Sequence, residues 1–406
     1  MNRIIVLLAI LLVVFNPTQE YLFTNQTPDE TNPIAPWPTN EWSRTTPEAQ
    51  GMDSTKLDSM TEHFKSNKIQ IDSFLIIRNG WMVYEEYPSR FGPDDTHHLF
   101  SCTKSIMSTL VGISLDLGCL ESIEASVLDF FQDYDFSNPS RSKEDISIKN
   151  LLEMTTGLSW NEEYYGNDIN DYNKMVRSDD WVKYVLDKPM ISEPGNTFHY
   201  NSGASHILSA IIQEVTQNST LNFALNNLFQ PLGITDYEWG QDPDGIYRGA
   251  SSLKLKPIDM AKIGYLYIRN GLWDGIQVVP QDWVQMTSTS QIQVDESTDY
   301  SYHWWVLPEI GAYYAFGWGY QSITVVPNYD LVVVVTAATL DSSVQVGNFL
   351  RKWIFPSLGL ETTVHTSFTI SPIFVLIGGS PFIVLGIALL MDKKGLWYEI
   401  EVKQEN

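Results

Sequence analysis

The chain has 406 residues, enough for one large domain or two, and a hydrophobic content of 43% that includes 13 Trp, 20 Tyr and 18 Phe. This composition excludes an intrinsically disordered chain, because disordered segments are poor in aromatic residues. The formal net charge of -24 disfavours nucleic acid and anionic membrane surfaces as partners, since both are bound through clustered cations.

The first 20 residues have the plan of a secretory signal peptide. Arg3 precedes an unbroken apolar run at residues 4–15, which is too short to span a bilayer and is followed by polar residues. The next segment, residues 21–44, is polar and rich in proline, which predicts a linker. We expect the folded domain to span residues 45–362.

A helix and a hairpin open the predicted domain. Residues 55–65 place their apolar side chains on one face of a helix. Two runs of strand-forming residues, 74–78 and 81–84, are separated only by Asn79 and Gly80, which are typical of a two-residue β-hairpin turn.

A serine followed three residues later by a lysine, at Ser101 and Lys104, is the most informative motif. At this spacing the two side chains lie on the same face of a helix. A serine hydroxyl is a weak nucleophile unless a neighbouring base takes its proton, and an amine can be that base. The same spacing recurs at residues 140–143 and 251–254, so the spacing alone is not specific.

The residues around each copy distinguish them. Only the copy at 101–104 leads into a long apolar run, which predicts a buried central helix. Burial would favour the neutral, basic form of Lys104, and the helix N-terminus would stabilise charge at Ser101. Lys143, in a polar stretch, is expected to stay solvated. The alternative for the first copy, a serine N-cap with a surface lysine, stays open here.

The two cysteines, Cys102 and Cys119, bracket the predicted helix. Their separation corresponds to about 25 Å of helix rise, whereas a disulfide needs Cα atoms within about 7 Å. We therefore expect no disulfide and interpret Cys102 as a packing residue.

The rest of the domain is predicted to be helical in the middle and to end in strands. Residues 121–298 are mostly helical in pattern, and strands follow at 302–306, 323–326 and 331–336, before a helix at 343–354. Strands at both ends and helices between them predict an α/β (α+β) fold: an antiparallel sheet flanked by helices, with a large helical insertion. A site would lie between the sheet and the insertion.

Tyr200 is the candidate for a second catalytic group, because acyl transfer also needs a group that moves protons at the leaving group and at water. A tyrosine has a pKa of about 10 and would need the positive charge of Lys104 nearby to act as a base. The alternative is that Tyr200 only packs. No carboxylate is placed to orient His199, which is expected to face away. The seven histidines lack metal-ligand spacing, so we predict no metal and no cofactor.

An uncharged segment near the C-terminus, residues 370–391, is long enough to cross a bilayer at about 1.5 Å per residue. Lysines follow it, so we interpret residues 392–406 as a cytoplasmic tail. The charged tail disfavours a cleaved lipid-anchor signal, and a buried core helix is the remaining alternative. With the signal peptide, this segment predicts a single-pass cell-membrane protein whose domain lies outside the cytoplasm.

Several segments resemble the serine β-lactamase-related family, which includes penicillin-binding peptidases, class C β-lactamases, esterases and 6-aminohexanoate-oligomer amidases. The resemblance runs from about residue 42 to residue 359 and implies a β-lactamase/transpeptidase-like fold. The segments that carry it are 101–105, 148–158, 198–203, 229–234 and 259–264.

The resemblance implies a role for each candidate residue. Ser101 would be the nucleophile, Lys104 its activating base and Tyr200 the proton shuttle. The oxyanion hole would be formed by the backbone N–H groups of Ser101 and Trp318.

Two departures from the family pattern concern the substrate. The last strand lacks the Lys-Thr-Gly triplet with which β-lactamases and penicillin-binding proteins bind a substrate carboxylate, and a Tyr-x-Asn box is replaced by residues 200–202. The segments 302–305 and 317–321 are more similar to the esterase and aminohexanoate-amidase branch of the family. Residues expected to contact substrate are Gly317, Gly319, Trp304 and Trp305, whose aromatic members suit a hydrophobic ester or amide.

The sequence thus predicts an extracytoplasmic, membrane-anchored serine hydrolase that cleaves a small or peptide-like ester or amide through an acyl-enzyme. One alternative is a penicillin-binding-type D-peptidase or β-lactamase. A second is a surface binding protein that keeps the fold without catalysis.

Overall fold

Eight antiparallel strands form the sheet around which the chain folds. The computed structural model describes residues 35–163 and 168–360, together with short strands at 376–377, 380–381, 389–391 and 397–399. Two units are distinguished, residues 21–362 and residues 1–20 with 363–406. The strands of the larger unit are β1 (Ile71–Arg78), β2 (Trp81–Glu86), β3 (His97–His98), β4 (Tyr237–Glu238), β5 (Lys254–Leu255), β6 (Leu272–Trp273), β7 (Ile276–Gln277), β8 (Ile292–Gln293), β9 (Asp299–Ser301), β10 (Trp304–Leu307), β11 (Ala312–Gly317), β12 (Gln321–Val326) and β13 (Leu331–Ala337).

The main sheet joins the two ends of the domain. Its strand order is β2-β1-β13-β12-β11-β10-β9-β8, so the N-terminal hairpin pairs with the last strand. Asn79 and Gly80, at the hairpin turn, have φ angles of 51° and 81°. Both values lie in the left-handed region that a two-residue turn of this kind needs, which confirms the predicted hairpin.

Helices cover the sheet and fill the insertion between β2 and β8. They are α1 (Ser54–Ser66), α2 (Cys102–Asp116), α3 (Arg141–Glu144), α4 (Ile148–Glu153), α5 (Asp171–Val176), α6 (Trp181–Leu186), α7 (Ser202–Thr216), α8 (Thr220–Ala224), α9 (Pro257–Ile268), α10 (Gln281–Ser288), α11 (Val346–Phe349) and α12 (Phe355–Ser357). A π-helical segment, Leu350–Ile354, connects α11 to α12, and these elements account for the helix predicted at 343–354.

Each face of the sheet has its own hydrophobic core, because successive side chains of a strand point to opposite faces. Leu75 and Ile77 of β1 pack with α2 and α9 in one core. Phe74 and Ile76 pack with α1 and the C-terminal helices in the other. The sheet is therefore buried on both sides, as the unbroken run of valines in β13 indicates.

The helix α2 is the buried central helix that the apolar run predicts. All its residues from Cys102 to Ser114 are buried. Cys102 has no exposed surface, and its Sγ lies 3.4 Å from the carbonyl oxygen of Gln321 in β12. Cys102 and Cys119 are both free, which confirms that they do not pair.

The prediction of a transmembrane helix at residues 370–391 is wrong. The parts of that segment that the structure describes are short strands: Leu376–Ile377 pairs with Ser380–Pro381, and Leu389–Met391 pairs with Trp397–Glu399. No helix among the described residues is both long and apolar enough to cross a bilayer. Pro381 lies in one of these strands, and a proline in a helix interior removes a backbone hydrogen bond, which is the physical reason for the error. The predicted signal peptide, residues 1–20, lies outside the described residues.

Candidate active site

The centre of the candidate site is the start of α2, where Ser101 occupies the N-cap and Lys104 lies in the first helical turn. The Nζ atom of Lys104 is 3.0 Å from the Oγ atom of Ser101, as the three-residue spacing predicts. Two further acceptors hold the same Nζ atom: Ser202 Oγ at 2.9 Å and the carbonyl oxygen of Ala250 at 3.1 Å. Lys104 is only 1% exposed, so these three contacts replace its hydration.

Burial lowers the pKa of Lys104 to about 8, because a charged amine loses hydration inside the protein, and the negative charge of Glu162 opposes part of this effect. At pH 7 about one Lys104 amine in ten is then neutral, compared with fewer than one in a thousand for a solvated lysine. The structure thus supplies a base beside the Ser101 hydroxyl near neutral pH.

Tyr200 lies next to this pair, just before α7, which begins at Ser202. The Nζ atom of Lys104 is 4.9 Å from the centroid of the Tyr200 ring. Burial and then Glu162 raise the pKa of the Tyr200 phenol far above its usual range, while a hydrogen bond with the Ser101 side chain partly opposes them. The phenol therefore stays protonated near pH 7. It can relay a proton, but it is not a phenolate in the resting enzyme.

A carboxylate beyond Ser202 extends the network. The Oε2 atom of Glu162 accepts from the backbone N–H of Ser202 at 2.8 Å, and its Oε1 atom accepts from the Ser202 hydroxyl at 2.5 Å. The indole of Trp160 donates to the same carboxylate at 2.8 Å. Ser101, Lys104, Ser202 and Glu162 thus form one continuous hydrogen-bonded chain.

The end of β11 approaches the nucleophile from the other side. A Cβ atom added to Gly317 would lie 2.2 Å from the carbonyl oxygen of Leu99 and 3.2 Å from the backbone nitrogen of Ser101, so only glycine fits there. The next residue, Trp318, is 52% exposed and meets the ring of Phe100 edge to face at 5.3 Å. The site therefore has an aromatic edge that solvent can reach.

Comparison with known proteins identifies the family. The Beta-lactamase family profile matches residues 57–355, well over half of the chain. The chain belongs to the β-lactamase family. A curated relative, the 6-aminohexanoate-dimer hydrolase of Paenarthrobacter ureafaciens, is 24% identical over 327 residues, which cover 73% of this chain and 81% of the relative.

Solved structures show the same fold. A Bacillus anthracis protein assigned as a 6-aminohexanoate-dimer hydrolase has a TM-score of 0.67 at 18% identity, over 81% of this chain and 90% of its own. EstCE1, described as a hydrolase with promiscuous acyltransferase activity, has a TM-score of 0.62 at 13% identity, over 75% of this chain and 98% of its own. The chain is thus a serine hydrolase of the β-lactamase family, and its predicted fold is confirmed apart from the transmembrane helix.

The two tryptophans expected to contact substrate lie on opposite faces of β10, because strand side chains alternate. Trp305 is half-buried, and its ring stacks against Tyr200 at 6.1 Å, beside the site of this β-lactamase-family enzyme. Trp304 has no exposed surface and packs against Tyr267 at 4.4 Å in the core. The prediction that Trp304 contacts substrate is therefore wrong. Gly319, at φ 75° between β11 and β12, lies close to the carbonyl oxygen of Ala337.

The other two Ser-x-x-Lys copies are not active sites in this β-lactamase-family chain. Lys143 is 1% exposed, so the prediction that it stays solvated is wrong. Its Nζ atom donates to the carbonyl oxygens of Ser137 and Leu186, whereas the Ser140 hydroxyl accepts from the backbone N–H of Lys143. In the third copy, Lys254 pairs with Glu238 at 2.7 Å.

His199 is exposed, as expected, and its ring bonds to the carbonyl oxygen of Trp160. Sequence reasoning missed Glu162 and Ala250. Glu162 lies in a loop of an acidic chain, and nothing in the local sequence marks it. The sequence did contain a signal for Ser202. It is the third residue of the box at 200–202, where the family has an asparagine.

Proposed function

We propose that this β-lactamase-family enzyme hydrolyses a small ester or amide through an acyl-enzyme on Ser101. The observation that carries the proposal is the 3.0 Å contact between Lys104 Nζ and Ser101 Oγ, inside a buried network that lowers the pKa of Lys104 to about 8. Two relatives support the substrate class through their names: one is a 6-aminohexanoate-dimer hydrolase, and the other is a hydrolase with acyltransferase activity.

In the first half of the reaction, neutral Lys104 accepts the hydroxyl proton as the oxygen of Ser101 attacks the carbonyl carbon. The backbone N–H groups of Ser101 and Trp318 would stabilise the oxyanion, and one such donor is typically worth about 2.7–4 kcal/mol. Tyr200 then passes its proton to the leaving group and takes up the proton that Lys104 accepted, and the acyl-enzyme remains with Lys104 neutral.

The second half reverses the proton movements. A water molecule gives a proton to the Tyr200–Lys104 pair as its oxygen attacks the acyl carbonyl. The proton returns to the Ser101 oxygen as the acid is released. The protonated phenol described above suits such a relay, because Tyr200 can donate and accept within one step.

The surroundings of Ser101 favour an uncharged, apolar substrate. Phe100, Trp305 and Trp318 lie around the nucleophile, and β11, which ends beside it, contains no lysine or arginine. A substrate carboxylate would find no cation on this strand. This argues for an ester or amide over a penicillin or a D-peptide, although the family name keeps the β-lactam alternative worth testing.

An activity-based probe tests the proposal directly. A fluorophosphonate should label the wild type and should not label Ser101→Ala. Ser140→Ala is the matched control, because it removes the serine of a second Ser-x-x-Lys copy and should leave labelling unchanged. Equal labelling of wild type and Ser101→Ala would overturn the assignment.

Turnover of nitrophenyl esters and of anilides would then rank the substrate classes. Acylation by a labelled penicillin at a comparable rate would support the β-lactam alternative instead. Binding of these compounds without turnover would support a surface binding protein.

We further propose that the enzyme acts outside the cytoplasm, because residues 4–15 have the pattern of a signal peptide. Amino-terminal sequencing of the protein from fractionated cells should find a start beyond about residue 20. A protein that starts at residue 1 in the cytoplasmic fraction would contradict this proposal.

A further inference from the structure

The carboxylate of Glu162 is connected to Lys104 through the hydroxyl of Ser202. It lies half-buried in the loop after the bridge between Leu158 and Met190, and it accepts from at least three donors. Two of these come from one residue, the backbone N–H and the hydroxyl of Ser202, and the third is the Trp160 indole. The carboxylate is therefore fixed on both of its oxygens.

This arrangement sets the direction of every hydrogen bond around Lys104. A serine hydroxyl has one proton, and a carboxylate can only accept, so the proton of Ser202 points to Glu162. The oxygen of Ser202 must then accept from Lys104. The second neighbour, the Ala250 carbonyl, is also an obligatory acceptor.

A neutral lysine has two N–H bonds and one lone pair. When both N–H groups are engaged by Ser202 and Ala250, the lone pair is left facing the third neighbour, the Ser101 hydroxyl. That is the orientation in which Lys104 can accept the proton of the nucleophile.

We propose that Glu162, acting through Ser202, is a positioning residue that directs the lone pair of Lys104 at Ser101. The proposal rests on the proposed function of Ser101 and Lys104, and it adds a residue that does not itself touch the substrate.

The other titratable groups that face Lys104 are neutral near pH 7. Burial raises the pKa of the Cys102 thiol, which lies on the same helix, and of the Tyr200 phenol, which precedes α7. Burial also lowers the pKa of His303, in the turn between β9 and β10, to about 3. Among these neighbours, it is Glu162 that raises the pKa of Lys104.

Glu162→Gln tests the proposal, because an amide offers one acceptor and one donor to the two donors of Ser202. The Ser202 proton can then turn towards Lys104 and occupy its lone pair. Against a nitrophenyl ester, we expect the high-pH plateau of kcat/KM to fall about 10- to 100-fold, which is part of the 10²- to 10⁴-fold that a positioned general base contributes. The acid limb, near pH 8 in the wild type, should move to lower pH, because a negative charge beside Lys104 is lost.

Glu163→Gln is the matched control, since it makes the same change at the next residue, which is exposed. It should leave the plateau and the acid limb at wild-type values. Glu162→Gln with the same profile as Glu163→Gln would overturn the proposal. If the wild type itself fails to react with fluorophosphonate, the proposed function fails, and this outcome is distinguishable from the first.

A double-mutant cycle shows whether Glu162 acts through Ser202. In a Ser202→Ala background, Glu162→Gln should no longer lower the plateau, because the hydroxyl that Glu162 orients is absent. A loss as large as in the wild-type background would overturn the proposal. If Glu162→Gln does not fold, Glu162→Asp replaces it: the charge stays and its oxygens withdraw by one methylene. The plateau should then fall while the acid limb stays near pH 8, and an unchanged plateau would refute the role.

Discussion

Two lysines of this molecule share a sequence spacing and a degree of burial, yet only one is placed for chemistry. Lys104 and Lys143 each follow a serine by three residues, and each is 1% exposed. Burial lowers the pKa of both amines. Lys143 donates to two backbone carbonyls, whereas Lys104 faces the hydroxyl of its own serine. The comparison teaches that the acceptors around a buried lysine, more than its burial, decide whether it can be a base.

The largest effect expected from this comparison is on catalysis. Lys104→Met should lower kcat/KM about 10³-fold, since a positioned general base typically contributes 10²- to 10⁴-fold. Steady-state hydrolysis of a nitrophenyl ester measures the loss. Comparable turnover by Lys104→Met and wild type would mean that another group takes the proton of Ser101.

Lys143→Met should have the opposite effect: it should lower stability and not activity. Activity per folded molecule should be unchanged, while the free energy of unfolding should fall by about 2 kcal/mol, because the carbonyls of Ser137 and Leu186 lose their donor. Urea unfolding measures the change. A loss of activity without a loss of stability would break the contrast between the two lysines.

The pH dependence should follow Lys104. Below its pKa of about 8 the amine is protonated and has no lone pair, so kcat/KM should rise with pH and reach half its plateau near pH 8. From pH 8 down to pH 7 the rate should fall about fivefold, as a single ionisation requires. Labelling by fluorophosphonate over pH 6–10 tests this, and a flat profile would exclude a buried lysine as the base.

The smallest effect is expected at Ser140, which is a helix cap. Its side chain accepts from the backbone N–H of Lys143, at the start of the short helix α3. Ser140→Ala should cost about 1 kcal/mol of unfolding free energy, the usual value of an N-cap, and leave activity intact. Thermal unfolding measures it, and a drop in esterase activity would contradict a purely structural serine.

The contact between Ser101 and Lys104 could be predicted because its signals are local. Ser101 and Lys104 are one helical turn apart, the apolar run marks α2, and Asn79 with Gly80 marks the hairpin. The resemblance to a known family gave the candidate Tyr200 its role as proton shuttle, and the structure places its ring beside Lys104. Sequence spacing therefore carried the parts of the site that lie within one turn of each other.

The parts that could not be predicted depend on distant neighbours or on register. Lys143 is buried because Leu186, far along the chain, supplies an acceptor. Which of Trp304 and Trp305 faces the site depends on the residue at which β10 begins, since a shift by one reverses the faces. Glu162 meets Ser202 only after the insertion has folded. Residues 370–391 were predicted to form a membrane helix because the prediction used local hydropathy alone.

The pairing of β1 with β13 also sets when the enzyme becomes competent during its synthesis. Strand β1 can pair with β2 early, but it cannot pair with β13 until residues 331–337 have left the ribosome. Strand β11, whose end lies against the nucleophile, is synthesised only shortly before β13. At roughly 5–20 residues per second, the helix that carries Ser101 waits about 10–50 s for these strands. The nascent chain therefore carries its nucleophile long before Ser101 can be acylated, and a truncated product would be inert.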